Sequence, residues 1–124
     1  MAGMTDCPCG TGEPYETCCA RFHRGEAPPP TAEALMRARY SAFAMGDDAF
    51  LRDTWDGASA GPLIDPALTW TGLHVTGRTG GGLLEATGTV EFTARYRRDG
   101  VPGRLRENSR FARRDGRWCY LGPV

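Results

Sequence analysis

Residues 84–100 read Leu-Glu-Ala-Thr-Gly-Thr-Val-Glu-Phe-Thr-Ala-Arg-Tyr-Arg-Arg-Asp-Gly, and the order of side chains in this stretch decides the fold. Leu84, Ala86, Val90, Phe92, Ala94 and Tyr96 share one parity, against Glu85, Thr87, Glu91, Thr93, Arg95 and Arg97 on the other. Successive strand side chains point to opposite faces, so this alternation predicts a strand with one buried and one wet face. Asp99-Gly100 then turns the chain. Residues 104–113 read as the next strand, Asp115-Gly116 as a second tight turn and residues 117–121 as the last strand. On the other side, residues 69–76 are dense in Thr, Trp and Val, and Gly80-Gly81-Gly82 marks the turn that follows them. Everything after Pro66 therefore reads as a four-stranded antiparallel meander.

Upstream of it the period changes. Thr31 is placed to cap a helix, Glu33 favours its first turn, and Gly46 stops it. Met36, Tyr40, Phe43 and Ala44 recur three or four apart, with Leu35 beside them, and form one apolar stripe. Asp47 or Asp48 caps a second short helix in which Phe50, Leu51, Thr54 and Trp55 repeat the spacing, and residues 56–66 read as loop. Helices first and a meander after them predict an α+β fold, with helices packed on a curved sheet.

The first nineteen residues carry a different signal. Four of the five cysteines lie there, as Cys7-Pro8-Cys9 and Cys18-Cys19. The stretch between the pairs contains two glycines and a proline, so it can fold back and bring them together. Four thiolates on one short loop suit a tetrahedral Zn²⁺ with Zn–S bonds of about 2.3 Å. A redox pair would more naturally take the Cys-x-x-Cys form at a helix start. Residues 1–6 show neither a basic start nor an apolar run, and no stretch reaches the length needed to cross a bilayer. The chain reads as cytoplasmic, where thiols stay reduced and clustered cysteines point to metal rather than to disulfides. Four cysteines fill the tetrahedron, so the predicted Zn²⁺, one per chain, is structural.

Composition excludes several chemistries. All fifteen basic residues are arginine, so no lysine serves a phosphate loop or a Schiff base. No His-Glu-x-x-His or Gly-x-Ser-x-Gly pattern occurs, and no catalytic residue is assigned. Arg95, Arg97 and Arg98 are read as balanced by acids, so neither a nucleic-acid nor a membrane partner is expected. Four thiolates on one Zn²⁺ leave two surplus negative charges, which Arg21 and Arg24 are placed to offset.

One further candidate lies in the third strand. Leu105, Glu107, Ser109 and Phe111 share a face, while Arg106, Asn108, Arg110 and Arg113 are assigned to the other. If Leu105 and Phe111 point inward, Glu107 and Ser109 do too, as members of a pocket; the alternatives for Glu107 are an ion pair with an arginine of a neighbouring strand or a mouth position open to water. His74 reads as a surface or rim residue. His23 reads as a hydrogen-bond partner of a thiolate or a packing residue, and Cys119 as a small apolar one. Trp55, Trp70 and Trp118 read as core aromatics.

Cys7-Pro8-Cys9-Gly10-Thr11-Gly12, Tyr15 and Cys18-Cys19 resemble the SEC-C motif, a zinc-binding segment named for the tail of the bacterial preprotein translocase ATPase. With residues 21–23 (Arg-Phe-His), 30–37 (Pro-Thr-Ala-Glu-Ala-Leu-Met-Arg), 39–42 (Arg-Tyr-Ser-Ala), Thr54-Trp55, Ser109-Arg110-Phe111 and Gly116-Arg117-Trp118, the whole chain is similar to the YchJ-like family of small bacterial proteins. That resemblance implies a SEC-C segment joined to a nuclear-transport-factor-like or cystatin-like cone, and no assigned biochemical role. Residues 25–30, with three consecutive prolines, read as a stiff, extended linker, and with the resemblance they divide the chain into a zinc-binding segment 1–24, a proline-rich linker 25–30 and a cone domain 31–124. Two functions follow as expectations. In one, the zinc knuckle docks a protein partner and the chain is an adaptor. In the other, the cone binds a small molecule, with or without catalysis, around Glu107 and Ser109. The translocase tail binds a chaperone, but Glu13-Pro14 stand here where basic residues are common in such tails.

Overall fold

A computed structural model describes residues 6–57 and 61–124. The loop expected over residues 56–66 therefore lies partly outside the described residues. Three helices, α1 (Cys19–His23), α2 (Ala32–Met45) and α3 (Asp48–Asp53), precede four strands, β1 (Leu68–Gly80), β2 (Thr87–Arg98), β3 (Val101–Arg114) and β4 (Arg117–Pro123). The strands form one antiparallel sheet in sequence order. This is the α+β layer of helices on a meander that the alternation predicts.

Local chemistry explains the boundaries. The Thr31 hydroxyl accepts from Ala34 N at 3.1 Å, and Gly46 closes α2 with a left-handed φ of 80° that only glycine adopts cheaply. Asp47 caps α3 through Phe50 N at 3.1 Å. Both Asp-Gly pairs take the doubly positive φ of type I′ turns, 52° and 81° at Asp99-Gly100 and 53° and 80° at Asp115-Gly116. Their twist matches that of the strands they join.

The sheet is bent by three bulges. Thr71 and Thr76 in β1 and Leu121 in β4 are the unpaired residues in the registers of their strands. Each extra residue increases local twist and curls the sheet toward α2.

Leu84 and Ala86 do not belong to β2; Leu84 is fully exposed, and the strand starts at Thr87. The guanidinium of Arg113 donates to the carbonyls of Leu83 and Glu85, both at 2.7 Å, and locks these residues into the preceding turn. Of Arg106, Asn108, Arg110 and Arg113, expected mostly on the outer face, Arg113 is the exception. It pairs across the ladder with Trp118 and stacks on its ring at 4.6 Å, so it lies on the face of Phe111.

The core is continuous. Leu35, Leu51, Val90, Phe111 and Trp118 are buried in one cluster that also takes in Phe22 and all four N-terminal cysteines. Pro28-Pro29-Pro30 therefore does not hold two cores apart. The segment is tied down, with Trp118 Nε1 donating to the Pro30 carbonyl at 3.2 Å and Ala27 packed on the cluster. The reason lies in α2, which is buried on two sides. Met36, Tyr40 and Phe43 face the sheet cavity, whereas the small residues Ala38, Ser41 and Ala42 admit the cysteine loop and α3. Ala44, counted in the apolar stripe, is exposed.

Candidate metal centre and sheet cavity

The cysteine loop is closed by a bridge between Asp6 and Pro14 and by Cys7 N donating to Glu13 O at 2.8 Å. Gly10 sits at φ 84°, and a side chain there would come within 3.4 Å of the Leu73 carbonyl, so the loop lies close against β1. A 3₁₀ turn, Tyr15–Thr17, then delivers Cys18 and the start of α1.

This path buries Cys7, Cys9, Cys18 and Cys19 and brings all four Sγ atoms within 4.8 Å of one another. None forms a disulfide. A tetrahedron with arms of ~2.3 Å has sulfur–sulfur edges of roughly 3.8 Å, and Cys9 Sγ lies 3.7 Å from Cys18 Sγ. Donor type, number and spacing thus fit a four-coordinate ion that favours thiolates.

Hydroxyls approach the sulfurs from two sides. Ser41 Oγ, fully buried on α2, lies 3.4 Å from both Cys7 Sγ and Cys19 Sγ. Thr11 Oγ1 lies 3.3 Å from Cys18 Sγ. Cys7 is held far below the ordinary thiol range, by hydrogen bonding from Cys19 first and from Cys9 and Ser41 as well. Cys19 is pushed far up as the partner in that bond, and burial pushes Cys18 up. Without a cation the four sulfurs cannot all ionise; a bound dication would draw off the remaining protons.

The basic groups are arranged differently from the sequence expectation. Arg24 is engaged by Glu16 at 2.6 Å, while Arg21 Nε donates to the Cys18 carbonyl at 3.2 Å. The cation from the far side is Arg37, whose Nη1 donates to the Cys9 carbonyl at 2.6 Å while Nε holds Glu33. His23 touches no sulfur. Its Nε2 donates to the Ala38 carbonyl at 2.8 Å, so in the neutral ring Nδ1 accepts from the Tyr15 hydroxyl at 2.7 Å. Its edge meets Phe50 at 4.7 Å, and the residue clips α1 to α2 and α3.

On the other side of α2 the curved sheet leaves a cavity of about 300 Å³. Tyr40, Phe43, Trp70 and Phe92 supply apolar wall, with Glu107 and Ser109 from β3, Arg39 from α2 and Tyr120 from β4 as the polar groups. Glu107 Oε2 accepts from the Ser109 hydroxyl at 2.5 Å and from the Tyr120 hydroxyl at 2.6 Å. Its partners are thus hydroxyls, and the arginine pairing considered for it is not made. Arg39 is 8% exposed, stacks over Tyr120 at 4.6 Å, and donates from Nη1 to Leu51 O and Thr54 Oγ1, both at 2.8 Å. Burial lowers its pKa to about 10, which leaves it charged at neutral pH. Burial, and then the bond to Glu107, push the Tyr120 phenol up.

The remaining candidates carry no site. His74 is exposed on the outer face, Cys119 is half-buried with its thiol pushed up by burial, and Trp118 is core. Trp70 is a correction, since its ring borders the cavity. The charge balance expected for Arg95, Arg97 and Arg98 holds at Arg98, whose Nη2 meets Asp65 at 2.6 Å, whereas Arg95 lies directly opposite Arg104 on the outer face and neither of those two forms an ion pair among the described residues. No described helix is long and apolar enough to cross a membrane.

Arg37, Arg39 and Ser41 stand in stretches that carry the family resemblance, but neither they nor Tyr120 carry a site role in the sequence reading. For Arg39 a signal existed, because a charge three residues after Met36 and four before Phe43 interrupts the apolar stripe.

Fold and site together define a class: a four-cysteine, SEC-C-type segment packed on a nuclear-transport-factor-like sheet. Within that class the chain belongs to the YchJ family, residues 31–123 matching the model described as "YchJ, middle NTF2-like domain". It is 50% identical over 116 residues to a UPF0225 protein of Streptomyces coelicolor, covering 92% of this chain and 90% of that one. It is likewise 50% identical over 127 residues to one of Cupriavidus metallidurans, covering 96% and 88%. Among solved structures, a SEC-C motif containing protein from Rhodopseudomonas palustris superposes with a TM-score of 0.81 at 32% identity, over 97% of this chain and 98% of that chain. A SEC-C motif containing protein from Psychrobacter arcticus gives 0.78 at 26% identity, over 97% and 82%.

Proposed function

We propose that Cys7, Cys9, Cys18 and Cys19 hold one Zn²⁺ per chain, that the ion is structural, and that the knuckle it closes is a docking element for a protein partner. The observation that carries this reading is the set of four buried sulfurs within 4.8 Å of one another. A complete tetrahedron of thiolates has no open position for water or substrate, so the ion organises the chain and performs no chemistry. The ligands face inward, whereas residues 10–13 between the two pairs are exposed and form the surface a partner would grip. A reducing compartment, the cytoplasm, would keep the thiols available.

Elemental analysis with native mass spectrometry of the protein as isolated tests the metal. One zinc per chain supports the reading, as does loss of bound metal in Cys18→Ser. Stoichiometric zinc at full affinity in that variant would remove Cys18 from the ligand set.

A second reading rests on a separate observation. The sheet cavity of about 300 Å³ lies at the small end of ligand sites, roughly 300–1,000 Å³, and its few polar groups converge. It is a candidate binding site for a small molecule.

A further inference from the structure

We propose that this cavity takes a compact, uncharged molecule, apolar over most of its surface, whose polar edge carries a hydrogen-bond acceptor and a donor side by side, as in a carboxamide or lactam. The proposal rests on the second reading above and specifies its ligand.

The unusual feature is a pair of opposite charges that face one cavity without meeting. Buried carboxylates and guanidinium groups ordinarily pair, because each alone is costly to desolvate. Here Tyr120 keeps them apart, its ring beneath the Arg39 guanidinium and its hydroxyl on Glu107. The two ends are also incompletely bonded. Arg39 spends Nη1 on two acceptors, while Nε and Nη2 have no hydrogen bond among the described residues. Glu107 spends Oε2 on two hydroxyls, while Oε1 has none. The helix wall therefore offers donors and the sheet wall an acceptor.

Charge selects among ligands. The guanidinium and the carboxylate cancel, so an anion would meet Arg39 but face Glu107, and a cation would suffer the reverse. A neutral edge with carbonyl and N–H together satisfies both without adding an uncompensated charge. The aromatic wall suits an apolar body: Trp70 packs edge-on to Tyr40 at 5.8 Å and tilted against Phe43 at 6.3 Å, centroid to centroid, and all three line the cavity.

Four probes of one shape test this on the zinc-loaded full chain: benzamide, benzoate, benzylamine and toluene. Titrations are followed by ¹H–¹⁵N spectra at the Trp70 indole and the amides of residues 105–109. Benzamide should shift these signals saturably and bind about ten-fold or more tightly than toluene, the effect of a hydrogen bond to a charged group. Both ionic probes should bind more weakly than benzamide. Glu107→Gln, which keeps an oxygen for the Ser109 and Tyr120 hydroxyls and turns an amide N–H toward the ligand, should remove most of the advantage of benzamide over toluene. Benzamide no tighter than toluene, or an ionic probe tighter than benzamide, would overturn the ligand class while leaving a binding cavity. No saturable shift with any probe would overturn the class and the cavity reading together.

Discussion

A single hydroxyl shows how closely the cysteine cluster depends on the rest of the chain. Ser41 lies between Cys7 and Cys19, reaching them from α2, twenty-two residues beyond the last cysteine of the cluster. Groups that hydrogen-bond metal ligands commonly tune affinity by 10–100-fold. Ser41→Ala should therefore weaken zinc retention by about ten-fold or more in competition with a chelator, while circular dichroism stays native; undiminished retention would deny Ser41 that role. Glu107 makes the opposite case. Gln there keeps an oxygen for the Ser109 and Tyr120 hydroxyls, so Glu107→Gln should stay within about 1 kcal/mol of wild type in urea, whereas Glu107→Ala strands two donors and should cost about 1–3 kcal/mol. At this scale the sequence was readable where chemistry is local. Cysteine spacing announced a loop that gathers four thiols as a metal would require, and strand parity put Glu107 beside Ser109. Ser41 and Arg37 escaped because their roles arise only when α2 docks on the loop, a contact no spacing within either segment encodes.

Among the elements, α1 is too short to persist by itself, since isolated helices of under ~12 residues are marginal in water. It is held by Phe22 in the core and by His23, which joins the Tyr15 hydroxyl to the Ala38 carbonyl. His23→Ala should destabilise the protein by about 1–3 kcal/mol, the range for a buried hydrogen bond left unmade, with zinc still stoichiometric. Loss of zinc in that variant would instead make His23 a ligand. Turn chemistry was the most legible feature at this level: Asp99-Gly100 and Asp115-Gly116 carry their conformation in two residues each. The start of β2 was not legible, because parity alone extended it to Leu84. What ends the ladder at Thr87 is the grip of Arg113, from β3, on the carbonyls of Leu83 and Glu85.

For the whole molecule, the decisive feature is that cysteine loop and cone share one core across α2. Composition suggested a division, since three prolines in a row read as a stiff spacer. The structure shows instead a segment fastened through Pro30 and Ala27, and a helix whose small residues accept the loop as closely as its large ones accept the sheet. Zinc would then stabilise the cone as well as the knuckle, because binding energy at a site absent from the unfolded chain is folding energy. Amide hydrogen exchange with and without zinc reads this directly. On metal removal, protection should fall at residues 38–42 of α2 and at α3 as well as in residues 6–24. Exchange that quickens in residues 6–24 alone, with α2 as protected as before, would contradict a shared core and restore two independent units.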